Sequence, residues 1–171
     1  MGTNLLFSIL SFVLFGTLLV SDNNLVTSAI QLSSETEVSQ AAFALAQSVI
    51  DEAKTKAFDQ NTVAGEVADS SFMSATLGPN GGESIGFPDT LAASGYKSSS
   101  IYNDVDDYNG YWRLVRTSSR KGDTVRVAVN YANVGNPDAS LPGRNYAKKM
   151  TVTVSSPFVS RSYSFSYVFS Y

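Results

Sequence analysis

Residues 1–20 read MGTNLLFSILSFVLFGTLLV, and no side chain among them carries a charge; Asp22 is the first that does. At about 1.5 Å per residue, twenty such residues make a helix of roughly 30 Å, the thickness of a bilayer's hydrocarbon core. Three readings fit the stretch. A cleaved secretory signal has small residues available for processing at Thr27-Ser28-Ala29, but it wants Lys or Arg ahead of the apolar run, and the first basic residue is Lys54. A permanent transmembrane anchor fits the length and the apolarity, although the lack of nearby Lys and Arg leaves its orientation unassigned. The third reading, which we favour, is a helix stored in a membrane and later buried among copies of itself.

The residues that follow extend the helix. No Gly or Pro occurs between Gly16 and Gly65, and the first Pro is Pro79, so no breaker interrupts the chain. Leu25, Ala29 and Leu32 keep an apolar stripe through a segment where Asp22, Asn23 and Asn24 are poor helix formers. From Val38 the stripe is distinct: Val38, Ala42, Leu45, Val49, Ala53 and Ala57, widened by Ala41, Ala46 and Ile50. Glu37, Gln40, Gln47, Asp51, Lys54 and Gln60 lie opposite, and Glu52 and Lys56 have the order and spacing of a helical ion pair. The pattern predicts one helix of about 55 residues, on the order of 80 Å. Its first part, residues 1–24, is apolar all round; its second, residues 25–60, is amphipathic and runs into the head.

Residues 61–110 are rich in turn residues, as in Leu77-Gly-Pro-Asn-Gly-Gly82 and Gly86-Phe-Pro88. They predict a connecting region in which residues 65–100 are irregular, with one short helix or strand, and carry exposed surface rather than core. Period-two patterning takes over in 111–171. Strands are expected at 111–118, 124–132, 145–155 and 162–171, with a hairpin turn at 119–123 and a loop at 133–143. Met150, Val152 and Val154 face inward and Thr151 and Thr153 outward. Tyr163, Phe165, Tyr167, Phe169 and Tyr171 share one face, with mostly Ser on the other. Short connections make this an antiparallel sheet of about four strands. Its apolar face needs cover, and the stripe from Val38 to Ala57 is the element able to supply it. The fold class is therefore α+β, a long N-terminal helix packed on a C-terminal antiparallel sheet.

Composition removes much chemistry. Cys and His both number 0, which excludes disulfides, a thiol nucleophile, a Ser-His-Asp triad and the usual zinc sites. The chain has no Walker loop, no dinucleotide fingerprint and no N-x-[ST] sequon. A net charge of −3 argues against nucleic acid as a partner. Charge is unevenly placed: residues 1–96 hold 10 acidic and 2 basic side chains, and residues 97–171 hold 5 and 10. That asymmetry suits ion pairs within the head or complementarity between neighbouring heads. Asp104, Asp106 and Asp107, with Asn103 and Asn109, gather oxygen ligands of the kind calcium takes, but the Glu that closes an EF-hand loop is missing. A polar turn ahead of a strand is the expected role. We expect no catalytic residue, no cofactor and no resident metal.

The arrangement resembles the type IV pilin superfamily, which includes the pseudopilins of type II secretion. The likeness covers the chain as architecture and is strengthened at Asp104-Val-Asp-Asp-Tyr-Asn-Gly-Tyr111 and Lys148-Lys-Met-Thr-Val-Thr-Val154. The sequence departs from the family at the fifth position, where the usual Glu is replaced by Leu5; no Glu precedes Glu35. That removes the charge associated with registering each subunit on its neighbour, a place where Asn4 offers a weaker polar contact. The resemblance implies a structural subunit, not an enzyme. Such a subunit is inserted in the cytoplasmic membrane before assembly and then polymerises into a homo-oligomeric extracellular filament at the cell surface, heads outward. Leu5, Leu6, Phe7, Ile9, Leu10, Phe12, Val13, Leu14, Phe15, Leu18, Leu19 and Val20 are the expected filament-core interface, with Gly2, Ser8, Ser11 and Gly16 allowing close helix approach. The alternatives are a pseudopilin-like component of a secretion apparatus and an extracytoplasmic binding domain anchored singly in a membrane.

Overall fold

In the computed structural model the described residues are 2–116 and 121–171. The chain is α+β, with one long N-terminal helix packed on a C-terminal antiparallel sheet. It divides into two compact units, Met1–Ser39 and Gln40–Tyr171. Helix α1 spans Gly2–Lys54 and passes through Asp22, Asn23 and Asn24 without a break. Hydroxyls that compete with helical backbone elsewhere are turned back onto the preceding turn: Thr27 Oγ1 donates to Asn23 O at 2.9 Å and Thr36 Oγ1 to Leu32 O at 2.8 Å.

The helix closes at Lys54, short of residue 60. Thr55 N and Lys56 N donate to Glu52 O and Ala53 O, tightening the last turn. Ala57 then leaves the helical path and pairs with the connecting region, its N–H donating to Asn103 O at 3.0 Å and its carbonyl accepting from Val105 N at 3.0 Å. This early exit undoes the expected Glu52–Lys56 pair. Glu52 Oε1 instead accepts from the Tyr108 hydroxyl at 2.7 Å, and Lys56 Nζ donates to Ser99 O at 2.8 Å.

Within the second unit, strands β1 (Trp112–Arg116), β2 (Lys121–Asn133), β4 (Ala147–Ser155) and β5 (Ser162–Ser170) lie in the order β1-β2-β4-β5, each antiparallel to its neighbour. A fifth strand, β3 (Asn136–Ser140), pairs with the end of β2 where a loop is expected. Pro137 lacks an N–H, which an edge strand of this kind tolerates. The end of the expected strand 111–118 and part of the expected turn 119–123 lie outside the described residues. Strand alternation follows the sequence pattern. Val125, Val127, Val129, Met150, Val152 and Val154 are buried, while on the outer face Thr151 and Thr153 hydrogen-bond Ser166 and Ser164 across the β4–β5 pair.

Ala42, Ala46, Val49, Ile50 and Ala53 of α1 bury against this sheet. The aromatic row of β5 meets the same helix: the Phe43 and Phe165 rings are 5.6 Å apart, edge to face, and Lys54 Nζ sits 4.3 Å above the Tyr167 ring. Small side chains at Ala46 and Ala53, at 1% and 0% exposure, set how close the helix comes. Enlarging the second by Ala53→Leu is expected to destabilise the head by about 1–3 kcal/mol through overpacking, read as a lower denaturation midpoint of the full chain in detergent. An unchanged midpoint would mean that the helix–sheet spacing is not fixed there.

Most of residues 65–100 are exposed or half-buried, as expected, but the connecting region also supplies core, chiefly from residues 102–108. It contributes buried Met73, Ile85, Tyr102 and Val105 together with Tyr108, and Tyr102, Tyr108 and Tyr111 pack edge to face with centroids 5.0–5.8 Å apart. The sheet and a helix stripe rich in Ala do not fill the interior; large aromatic rings from this segment do.

Candidate functional site

Two features stand apart from ordinary packing. One is the surface of α1 in the first unit. All twelve side chains expected at a filament core, from Leu5 to Val20, lie on this helix and are between 53% and 78% exposed. The apolar surface runs further than those twelve, to Leu25, Val26, Ile30 and Leu32, each also exposed. Leu25 and Leu32 belong to the stripe legible in the sequence; Val26 and Ile30 do not. The helix is long and apolar enough to cross a membrane, with an 18-residue window of mean hydropathy 2.1. A surface of this kind is incompatible with water: at roughly 25 cal/mol per Å² of apolar area, its burial represents tens of kcal/mol gross before entropy is subtracted.

The other feature lies inside the head. Strand β4 alternates, and the inward phase of Val154, Val152 and Met150 continues to Lys148, which is 0% exposed. Its ammonium donates to Asp106 Oδ1 at 2.6 Å, to Asp59 Oδ2 at 2.7 Å and to Phe58 O at 2.8 Å, using all three N–H groups. The Phe58 and Tyr131 ring centroids are 4.6 and 5.4 Å from Nζ. Asp59 arrives just after the helix exit, capping the short 3₁₀ turn Gln60–Thr62. Asp106 opens the 3₁₀ turn Asp106–Tyr108. Three segments distant in sequence therefore converge on one lysine.

The carboxylates differ in what holds them. Asp59 also accepts from Asn61 N, from Ser74 N and Oγ, and from the Tyr131 hydroxyl. Burial pushes its carboxyl up, but the Lys148 hydrogen bond and the Ser74 and Asn61 N–H groups hold it below the ordinary aspartate range. Asp104 is pushed up to about 9, first by burial and then by the adjacent Asp106 carboxyl and the Asp107 charge. Burial likewise pushes Asp107 up to about 6, against the N–H groups of Asn103 and Asp104 that it accepts. Asp104 Oδ1 is occupied by the N–H groups of Asp106 and Asp107, whereas Oδ2 of Asp104 and Oδ2 of Asp106 are buried without a hydrogen-bond partner among the described residues.

Asp104, Asp106 and Asp107 do form a polar turn ahead of a strand, leading through the 3₁₀ turn Asp106–Tyr108 into β1, but the turn is buried: all three are 0% exposed. Among the described residues no group of three or more acidic side chains is arranged to hold a metal ion. A further buried carboxylate, Asp89, accepts from Lys97 N, Ser98 N and the Tyr111 hydroxyl and so fixes the start of α2 (Lys97–Ile101).

The raised aspartates set a pH dependence. Between about pH 4 and 9 an unfolded chain sheds the Asp104 proton while the folded head retains it, so stability falls as pH rises across that window; Asp107 adds to the fall up to about 6. Thermal melts of the full chain are expected to give a lower midpoint at pH 9 than at pH 5. The Asp104→Asn variant is expected to flatten that slope. A midpoint that rises toward pH 9 would show that Asp104 is ionised in the folded head. Comparison of the chain with models of known protein families, with characterised proteins and with solved structures yields no match.

Proposed function

We propose that this chain is a structural subunit, not an enzyme, which polymerises through its apolar N-terminal helix into an extracellular helical filament with the heads outward. The observation that carries the proposal is the apolar surface of α1 from Leu5 to Val20, which carries no charge and is exposed on every side of the helix. A helix apolar on one stripe needs one partner; a helix apolar all round needs lipid or several neighbours. A helical array of identical subunits supplies them, and contacts that do not close on themselves extend without limit. Before assembly the cytoplasmic membrane holds the same segment. The hydropathy of this helix equally supports a second reading, a single membrane anchor carrying an extracytoplasmic head.

Shearing the source cells, imaging the released material by electron microscopy and identifying its protein by mass spectrometry tests the proposal. Filaments with this chain as their main component are expected. A chain recovered solely as a detergent-soluble monomer establishes the anchor instead, and one confined to a secretion apparatus establishes a pseudopilin-like role.

A further inference from the structure

We propose that Lys148 and Asp106 condense into an intramolecular isopeptide bond. The lysine and both aspartates around it have no solvent exposure, and no water competes for the reacting carbon. Nζ lies 2.6 Å from Asp106 Oδ1, so Cγ is at most about 3.8 Å away, and a shift of a few tenths of an ångström brings it within the roughly 3–3.5 Å of a near-attack geometry. The site is closed to solvent, and the Phe58 and Tyr131 rings flank the nitrogen. In such a place an ion pair bears a desolvation cost that its mutual attraction offsets only in part. Turning one ammonium and one carboxylate into a neutral amide removes two buried charges together.

The two neighbouring aspartates are suited to different parts. Asp59 is the base, because its ionised form is held by Ser74, Asn61 and Tyr131 independently of the lysine. The same hydrogen bonds make it a poor electrophile. Asp106 is the electrophile: its Oδ2 is buried with no hydrogen-bond partner among the described residues, and Asp104, whose Oδ1 accepts from Asp106 N at 2.8 Å, is its neighbour. Asp104 retains its proton at neutral pH and can pass it to Asp106.

In the reaction Asp59 takes one proton from the Lys148 ammonium and Asp106 receives the proton of Asp104. The Nζ lone pair attacks Asp106 Cγ, and the Nζ–Cγ bond forms. The second nitrogen proton goes to the departing hydroxyl, the Cγ–O bond breaks and water leaves. The proton on Asp59 returns to Asp104. The net change is one ammonium and one carboxylate giving one amide and one water, with nothing oxidised or reduced. The amide N–H still faces Asp59. The bond joins residues 42 positions apart in the chain, a covalent brace in a protein with 0 Cys.

Peptide mapping of the purified full chain under denaturing conditions tests the bond. Lys148 is expected to be refractory to trypsin and to amine-labelling reagents. A branched peptide joining Lys148 to Asp106 is expected, lighter by one water than the two separate peptides. Lys148→Arg is expected to restore the unlinked peptides, and Asp104→Asn to raise the unlinked fraction. If either variant fails to fold, the wild-type map still decides. An unlinked Lys148 that accepts label in the denatured wild-type chain overturns the proposal, and a branch to Asp59 overturns the assignment of Asp106.

Discussion

Replacing Lys148 with Met is expected to destabilise the head by at least about 3–5 kcal/mol, the cost of leaving a buried charge without its partner; where the lysine is condensed with Asp106 the same change also removes the covalent brace and returns that carboxylate to its ionised form. The ammonium is 2.6 Å from Asp106 and 2.7 Å from Asp59, all three without exposure. Met fills a similar volume, so lost packing contributes little; what remains is carboxylate charge that neither water nor a cation reaches. Asp106 suffers more, because Asp59 retains the N–H groups of Asn61 and Ser74 and the Tyr131 hydroxyl. Adding Asp106→Asn to Lys148→Met is therefore expected to recover part of the loss, a non-additivity that identifies the pair. Denaturant titration of the full chain in detergent reads both. Loss below about 1 kcal/mol, the range of exposed pairs, would show that Lys148 is not buried among these carboxylates.

The second large effect concerns assembly. Leu14→Asp is expected to abolish filaments. A carboxylate at the centre of an apolar segment costs about 2.5–3.5 kcal/mol per helix, and in a polymer every subunit bears that cost against its neighbours. Leu14→Ile, of equal volume, is expected to leave filament yield unchanged. Cell fractionation separates the two routes to failure: the Asp variant must still be found in membranes for its absence from sheared material to count. Filaments of normal yield from that variant would show that Leu14 (64% exposed in the single chain) remains in contact with water after assembly.

The helix and sheet are legible because their signals are local. A chain free of Gly and Pro from residue 17 to 64 has little to stop it, and α1 runs through even Asp22-Asn23-Asn24. Alternation in β4 and β5 assigns faces correctly from side chain to side chain. The same alternation places Lys148 in the inward phase with Met150, Val152 and Val154. That was a readable warning of a buried charge, and a lysine in such a phase needs acidic partners. Which aspartates those are is not local information. Asp59 and Asp106 are 89 and 42 residues from Lys148 in sequence, and their own neighbourhoods, an apparent helix end and an acidic turn, suggest solvent. The end of α1 at Lys54 is not legible for a related reason. The pull that removes Ala57 from α1 is its pairing with the strand-like segment at Asn103–Val105, not a breaker in the sequence. Strand β3 was hidden by Pro137, which weakens a strand signal without forbidding an edge.

Helical reconstruction of sheared filaments by electron cryo-microscopy locates α1 after assembly. A core of closely packed helices that contains residues 5–20 is expected, with the sheet-bearing heads around it. A filament whose centre lacks those residues, because the helix has been cleaved away or lies in contact with solvent, would contradict assembly through α1.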